Sequence, residues 1–213
     1  ALADLAGHIG DPAVRNRGTI GGSVANSDPA ADYPAAVLAL GATITTNKGK
    51  HEADKFFKGL YETALKEGEI ITSVTFPAPK RAAYMKFKNP ASRFAIVGVM
   101  VSSGKSGVRV AVTGAGNCVF RVPAMEQALA SNFSPDAIAA ISAPAGKLNG
   151  DLHASAEYRA HLITGQRGLI LPCLGRTGQG FSCLSGRTAV YRRAVVTPVL
   201  DQMTGETFWG KPC

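Results

Sequence analysis

The sequence predicts an α+β fold. Three observations carry it. Short β-prone runs are joined by tight turns: residues 96–102 meet 108–113 through Ser103-Gly104-Lys105-Ser106-Gly107, and 83–88 precede them, which makes an antiparallel meander. Helical stretches are short and fall before and after that meander. The chain has 213 residues and 22.1 kDa with 46% hydrophobic residues, enough for one large domain or two small ones with packed cores.

Taken in order, residues 1–5 are helix-like, and Gly10-Asp11-Pro12 has turn chemistry. A short β-prone stretch then leads into Gly21-Gly22. Paired glycines there imply close backbone approach or positive φ. Asp32 is placed as the N-cap of a helix over 35–40, with Pro34 in its first turn and Gly41 as its stop. Residues 42–46 alternate as a strand, turn through Asn47-Lys48-Gly49-Lys50 and pair near 51–54. Phe56-Phe57 with Leu60-Tyr61 suggests a short element with buried aromatics. Residues 69–76 form a strand ended by Pro77-Ala78-Pro79. After the meander, Pro123 opens a helix over 124–130, a second covers 136–142, and a third covers 154–163 with Glu157 and His161 four apart on its polar side.

Composition excludes several classes. No apolar run reaches 18 residues, so no transmembrane helix is expected. Residues 1–10 lack a basic stretch followed by an apolar one, so no signal peptide is expected, and without an initiator Met the chain reads as the inside of something longer. Cys118, Cys173, Cys183 and Cys213 have no CxxC or zinc-ligand spacing and read as free thiols in a reducing cytoplasm. Net charge is +8, but residues 1–163 hold 17 Lys and Arg against 13 Asp and Glu, while 164–213 hold 6 against 2. Half the excess therefore sits in under a quarter of the chain, and without interleaved aromatics a nucleic-acid partner is not expected. Gly104-Lys105-Ser106 lacks the upstream glycine of a P-loop, Val99 standing there. Gly114-Ala115-Gly116 has Val119 where a dinucleotide fingerprint needs its third glycine.

One segment stands apart. Arg15-Asn16-Arg17-Gly18-Thr19-Ile20-Gly21-Gly22-Ser23 combines exposed backbone donors with the Thr19 and Ser23 hydroxyls, as anion binding requires. A tight turn packed against a helix would use the same residues.

The 26-residue run from Ile9 through Arg15-Asn16-Arg17-Gly18-Thr19-Ile20-Gly21-Gly22-Ser23 and Asp28-Pro29-Ala30-Ala31-Asp32 to Pro34 closely resembles the FAD-binding subunit of molybdenum hydroxylases. That family includes the aerobic carbon monoxide dehydrogenase medium subunit and the flavin portion of xanthine dehydrogenase. The resemblance continues through Phe56-Phe57, Glu69-Ile70-Ile71, the stretch from Phe87 to Arg93, Gly114-Ala115-Gly116 and Ala156-Glu157-Tyr158-Arg159, covering residues 1 to about 163.

The resemblance implies that residues 1–80 are the second half of a vanillyl-alcohol-oxidase-type FAD domain. Residues 81–163 would be a small C-terminal domain of antiparallel sheet plus helices. By motif match, Thr19, Gly21, Gly22 and Ser23 would line the FAD diphosphate, Asp32 would hydrogen-bond the cofactor, Ile71 and Ile9 would be apolar walls, and Lys88 would sit near the flavin. Positive charge there would favour the reduced, anionic flavin. The family hydroxylates substrate at a molybdenum cofactor on a large subunit. Electrons pass through two [2Fe–2S] clusters on a small subunit to FAD, then to quinone, NAD or oxygen. This chain would supply no catalytic residue and no metal ligand.

Two departures set further expectations. The family's first FAD subdomain, with its Ala-Gly-Gly-x-Ser loop, is absent, so this chain alone is expected to bind FAD weakly or not at all. A truncated assembly module that docks on the partner subunits without stable FAD is the alternative. Beyond Ile163, residues 164–190 hold six glycines and two cysteines with little period. The tail 164–213 is therefore expected to be irregular, the product of a frameshift or readthrough.

Overall fold

A computed structural model describes residues 1–143, 145–175 and 189–192, with backbone alone for 166–175 and 189–192. The N-terminal part runs α1 (Leu2–Gly7), α2 (Pro12–Arg17), α3 (Ile20–Asn26), α4 (Tyr33–Ala39), β1 (Thr43–Thr46), β2 (Lys50–Glu52), α5 (Ala53–Phe56), β3 (Phe57–Gly59), β4 (Glu62–Thr63) and β5 (Ile71–Phe76). Then come β6 (Arg81–Lys88), β7 (Ala95–Gly104), β8 (Gly107–Thr113), β9 (Phe120–Arg121), α6 (Pro123–Ser131), α7 (Ala156–Gly175) and β10 (Ala189–Arg192). This is the α+β class the sequence predicts. Among the described residues three sheets form, all with antiparallel pairs: β10-β5-β1-β2, the small β3-β4 hairpin, and β6-β7-β8-β9.

β7 explains how the meander sits. Its first eight residues are all buried, because the sheet is covered on both faces. Tyr84, Met100 and Ala111 face a core that also contains Leu5, Val24, Ile44 and Phe56. Val97, Val99, Val101, Val110 and Val112 face a second core with Met125, Leu129, Ile138 and Ile163. α4 is buried on every side, packed on β7 and β8 and on α1, α3 and α5, as an all-apolar helix must be. Its final carbonyls need donors from outside. The Ser102 hydroxyl donates to Ala39 O at 2.6 Å, and Arg109 donates to Leu38 O at 2.9 and 3.0 Å. β7 and β8 thereby cap the helix that leads out of the 28–32 turn.

Several expectations need correction. Residues 12–17 and 20–26 are helical rather than β-prone, with Gly18-Thr19 extended between them, and Gly21-Gly22 lie in the first turn of α3 without positive φ. The cause is capping: Asp11 accepts from Ala13 N with Pro12 at the first helical position, and the Thr19 hydroxyl accepts from Gly22 N at 2.8 Å. Leu60 and Tyr61 are exposed at the β3–β4 turn, and only Phe56 of that aromatic set is fully buried. The helix expected over 136–142 shrinks to a single 3-10 turn, Asp136–Ile138, since so short a segment has little helical stability of its own. α7 continues to Gly175, so the irregularity expected from residue 164 is wrong over that span. Glycine lowers helix stability by about 1 kcal/mol per residue without breaking the backbone ladder. Ala189-Val190-Tyr191-Arg192 pairs antiparallel with β5, a β-prone stretch on an open sheet edge. The rest of the tail, with Cys183 and Cys213, lies outside the described residues. No helix among the described residues is long and apolar enough to cross a membrane.

Candidate functional site

A cavity of about 540 Å³ opens between the 9–33 segment and the start of the meander. That volume lies in the range of small-molecule and cofactor sites. Its first wall comes from the turn before α2. Arg15 donates to the carbonyl of Ile9 and, at 3.4 Å, to that of Gly10, so the guanidinium staples this turn and Ile9 lines the cavity. The second wall is the start of α3, with Gly18, Thr19, Gly22 and Ser23. First-turn amides of a helix have no intrahelical acceptor, but Ile20 and Gly21 are buried and lie off the cavity lining. A Cβ at Gly22 would lie 2.7 Å from Thr19 Oγ1, so glycine there preserves the cap.

The opposite wall is the loop between β6 and β7. Asn89, itself buried, builds it: its Oδ1 accepts from the amides of Ala91 and Ser92 at 2.9 and 3.3 Å, and its backbone pairs with Phe94 and Arg93. Arg93 takes φ of 61° at the tip, and Gly10 packs against it so closely that a Cβ would meet Arg93 Cβ at 2.3 Å. The loop so formed brings Ser92 and Phe94 to the cavity.

The floor joins both halves of the chain. Asp32 occupies the N-cap position of α4, but its side chain makes no cap bond. It accepts instead from the Tyr84 hydroxyl and from Lys86 Nζ at 2.8 Å. A charge-assisted bond to an ammonium is stronger than a neutral amide cap. Lys86 Nζ also donates to His8 O at 3.1 Å. The Lys86 and Asp32 side chains are 1% and 5% exposed. Burial pushes the Asp32 carboxyl above its ordinary value, with Lys86 and Tyr84 pulling it part-way back. Burial and then the Asp32 charge push the Tyr84 hydroxyl well up, so it stays a donor. Gly98 leaves room for that hydroxyl: a Cβ there would lie 2.3 Å from Tyr84 Oη. The 28–32 turn is pinned from β8, where Gly114 N donates to Pro29 O at 2.7 Å and the Thr113 hydroxyl lies within 2.9 Å of Pro29 O and 2.7 Å of Ala31 O.

Of the residues singled out from sequence, Ile9, Thr19, Gly22, Ser23 and Asp32 come together on this cavity. Gly21 is buried in the turn of α3 behind it, and Ile71 is buried in the core of the β5 sheet. Lys88 is exposed beyond a register shift at Phe87/Lys88 and does not line the cavity, whereas Lys86 does. Sequence reasoning missed Lys86, Ser92 and Phe94. The period-2 alternation that groups residues 84, 86 and 88 on one face was a usable signal for Lys86. Among the described residues no group of three His, Cys, Asp or Glu side chains could hold a metal ion.

Residues 1–79 match the family model described as the FAD binding domain in molybdopterin dehydrogenase. The nicotine 6-hydroxylase medium subunit of Paenarthrobacter nicotinovorans is 39% identical over 176 residues, covering 76% of this chain and 62% of that protein. The carbon monoxide dehydrogenase medium chain of Hydrogenophaga pseudoflava is 35% identical over 170 residues, covering 70% and 59%. A solved structure of carbon monoxide dehydrogenase from Hydrogenophaga pseudoflava superposes with TM-score 0.67 at 33% identity, covering 81% of this chain and 66% of that one. The chain is similar to the FAD-binding medium subunits of molybdenum hydroxylases, and its residues 1–79 belong to their FAD-binding domain family. It spans about three fifths of the length of the curated relatives it matches.

FAD is the cofactor of this medium-subunit family. The donor set suits it: the Thr19 and Ser23 hydroxyls can meet diphosphate oxygens, and Arg15, Arg17 and Lys86 balance Asp11, Asp28 and Asp32 on the lining. The relatives this chain matches are named as hydroxylase and dehydrogenase subunits.

Proposed function

We propose that this chain takes electrons from [2Fe–2S] clusters of a small subunit and passes them to an external acceptor through FAD, within a hetero-oligomer whose large subunit carries the molybdenum cofactor. One observation carries the reading: a single cavity gathers Ile9, Thr19, Gly22, Ser23 and Asp32, five of the eight residues that the family motif assigns to the cofactor. Bound FAD supplies one- and two-electron redox chemistry. The chain's own residues hold and orient it. The α3 turn and the two hydroxyls receive the diphosphate, Asp32 receives a cofactor hydroxyl, and Ile9 provides apolar surface. Residues 1–80 act as the second subdomain of the FAD domain and 81–163 as the C-terminal domain, the whole working in the cytoplasm.

Co-expression with candidate large and small subunits tests this. The expected product is a complex with about one flavin per copy of this chain, its visible absorbance bleaching on addition of the holoenzyme's substrate. A stable complex without flavin would replace the reading with the assembly module. Failure of the chain to join any such complex would overturn both.

A further inference from the structure

Lys86 and Asp32 leave hydrogen-bonding capacity unused on the cavity floor. An ammonium has three N–H donors, and Lys86 spends one on Asp32 Oδ2 and one on His8 O. A carboxylate offers about four lone-pair sites, and among the described residues Asp32 gives one to Tyr84 and one to Lys86. Both side chains line the cavity while being almost wholly withdrawn from water. A buried polar group with spare capacity favours a ligand atom that completes it.

We propose that Lys86 and Asp32 form a donor–acceptor pair for a polyol, receiving the ribityl hydroxyls of the flavin cofactor. A hydroxyl donates once and accepts, so one group can give its hydrogen to Asp32 and take one from Lys86. A diphosphate has no donor for Asp32 and would meet its negative charge, and an apolar ring edge would leave both groups unsatisfied. Tyr84 is a positioning residue: its hydroxyl, seated over Gly98, fixes the Asp32 carboxylate from below. The assignment rests on the FAD reading but names a residue and a ligand segment that the motif does not.

The test compares three probes by amide NMR on the 213-residue chain: riboflavin, lumiflavin (the same ring without the ribityl chain) and ADP. The expected result is that riboflavin binds about tenfold tighter than lumiflavin, the worth of one charge-assisted hydrogen bond. In Lys86→Met that ratio is expected to fall close to one while ADP still moves residues 19–23. An unchanged ratio in Lys86→Met, or no discrimination in the parent chain, overturns the polyol pair and leaves the FAD reading standing. Loss of the ADP response in the parent chain as well overturns both. Should Lys86→Met fail to fold, Lys86→Gln keeps a neutral donor for Asp32. A fallen ratio there supports the pair and an unchanged one refutes it.

Discussion

Replacing Gly114 with alanine is expected to destabilise the protein more than any other single methyl addition in the Gly114-Ala115-Gly116 turn. Gly114 has φ of 84°, where an L side chain costs about 1–2 kcal/mol. An added Cβ would lie 2.6 Å from both Ala95 O and Ile96 O and 2.8 Å from Ile96 C. These are backbone atoms of β7, and Ile96 O also accepts from buried Arg159, so none can swing away as a side-chain end would. Crowding of that kind costs about 1–3 kcal/mol. The sum, about 2–5 kcal/mol, is a large part of the stability of an ordinary domain and corresponds to a melting temperature lower by about 5–20 °C. Gly116→Ala is the matched control: its Cβ would meet ring atoms of Phe120 at 3.2 and 3.3 Å, a side chain that can give. Thermal denaturation followed by circular dichroism reads both. A Gly114→Ala protein melting within about 2 °C of the parent, or a Gly116→Ala protein melting as low, would refute the reasoning.

Three further outcomes are expected. Thr19→Ala removes the α3 cap from Gly22 N and is expected to cost about 1 kcal/mol in urea unfolding; no change would show that the cap does not hold the turn. Arg159→Leu deprives Ile96 O and Gly114 O of a buried donor and is expected to cost about 2–5 kcal/mol, read as a lower urea midpoint at unchanged slope; a loss under about 1 kcal/mol would contradict the contacts. The His51 hydrogen bond, then those of Thr46 and the Lys66 amide, hold the Glu69 carboxyl down at about 2 instead of 4.5. A depressed acid stabilises the fold above its unfolded value, so this contribution is present above pH 4.5 and disappears as pH falls toward 2. Glu69→Gln is therefore expected to flatten the acid limb of stability in that window; an identical slope in the variant would count against the His51–Glu69 contact.

Strand and turn chemistry made the meander legible because its turns are local and its apolar runs continuous. Asp32 was legible as a helix start, from Pro34 and Gly41. Its real partners, Tyr84 and Lys86, lie 52 and 54 residues away and reach it only through tertiary packing. Lys88 drew attention by motif, but a register shift beside it separates its surroundings from those of Lys86, and no spacing rule shows such a shift. The paired glycines misled in the other direction. Their usual meaning, positive φ, gave way to the Asp11 and Thr19 caps, which were readable as Asp-Pro and as a hydroxyl three residues before Gly22. Glycines past Ile163 likewise suggested an end to helix that α7 does not have. Ser92 and Phe94 reach the cavity because Asn89 folds their loop, and neither residue type marks itself in sequence.

FAD is expected to enter the cavity between α3 and the β6–β7 loop. Backbone amide NMR of the chain titrated with FAD measures this residue by residue. The largest shifts are expected at residues 20–23 and 92–94, with weak affinity for the chain alone. Binding of FAD that leaves residues 20–23 unmoved and shifts another surface would contradict it.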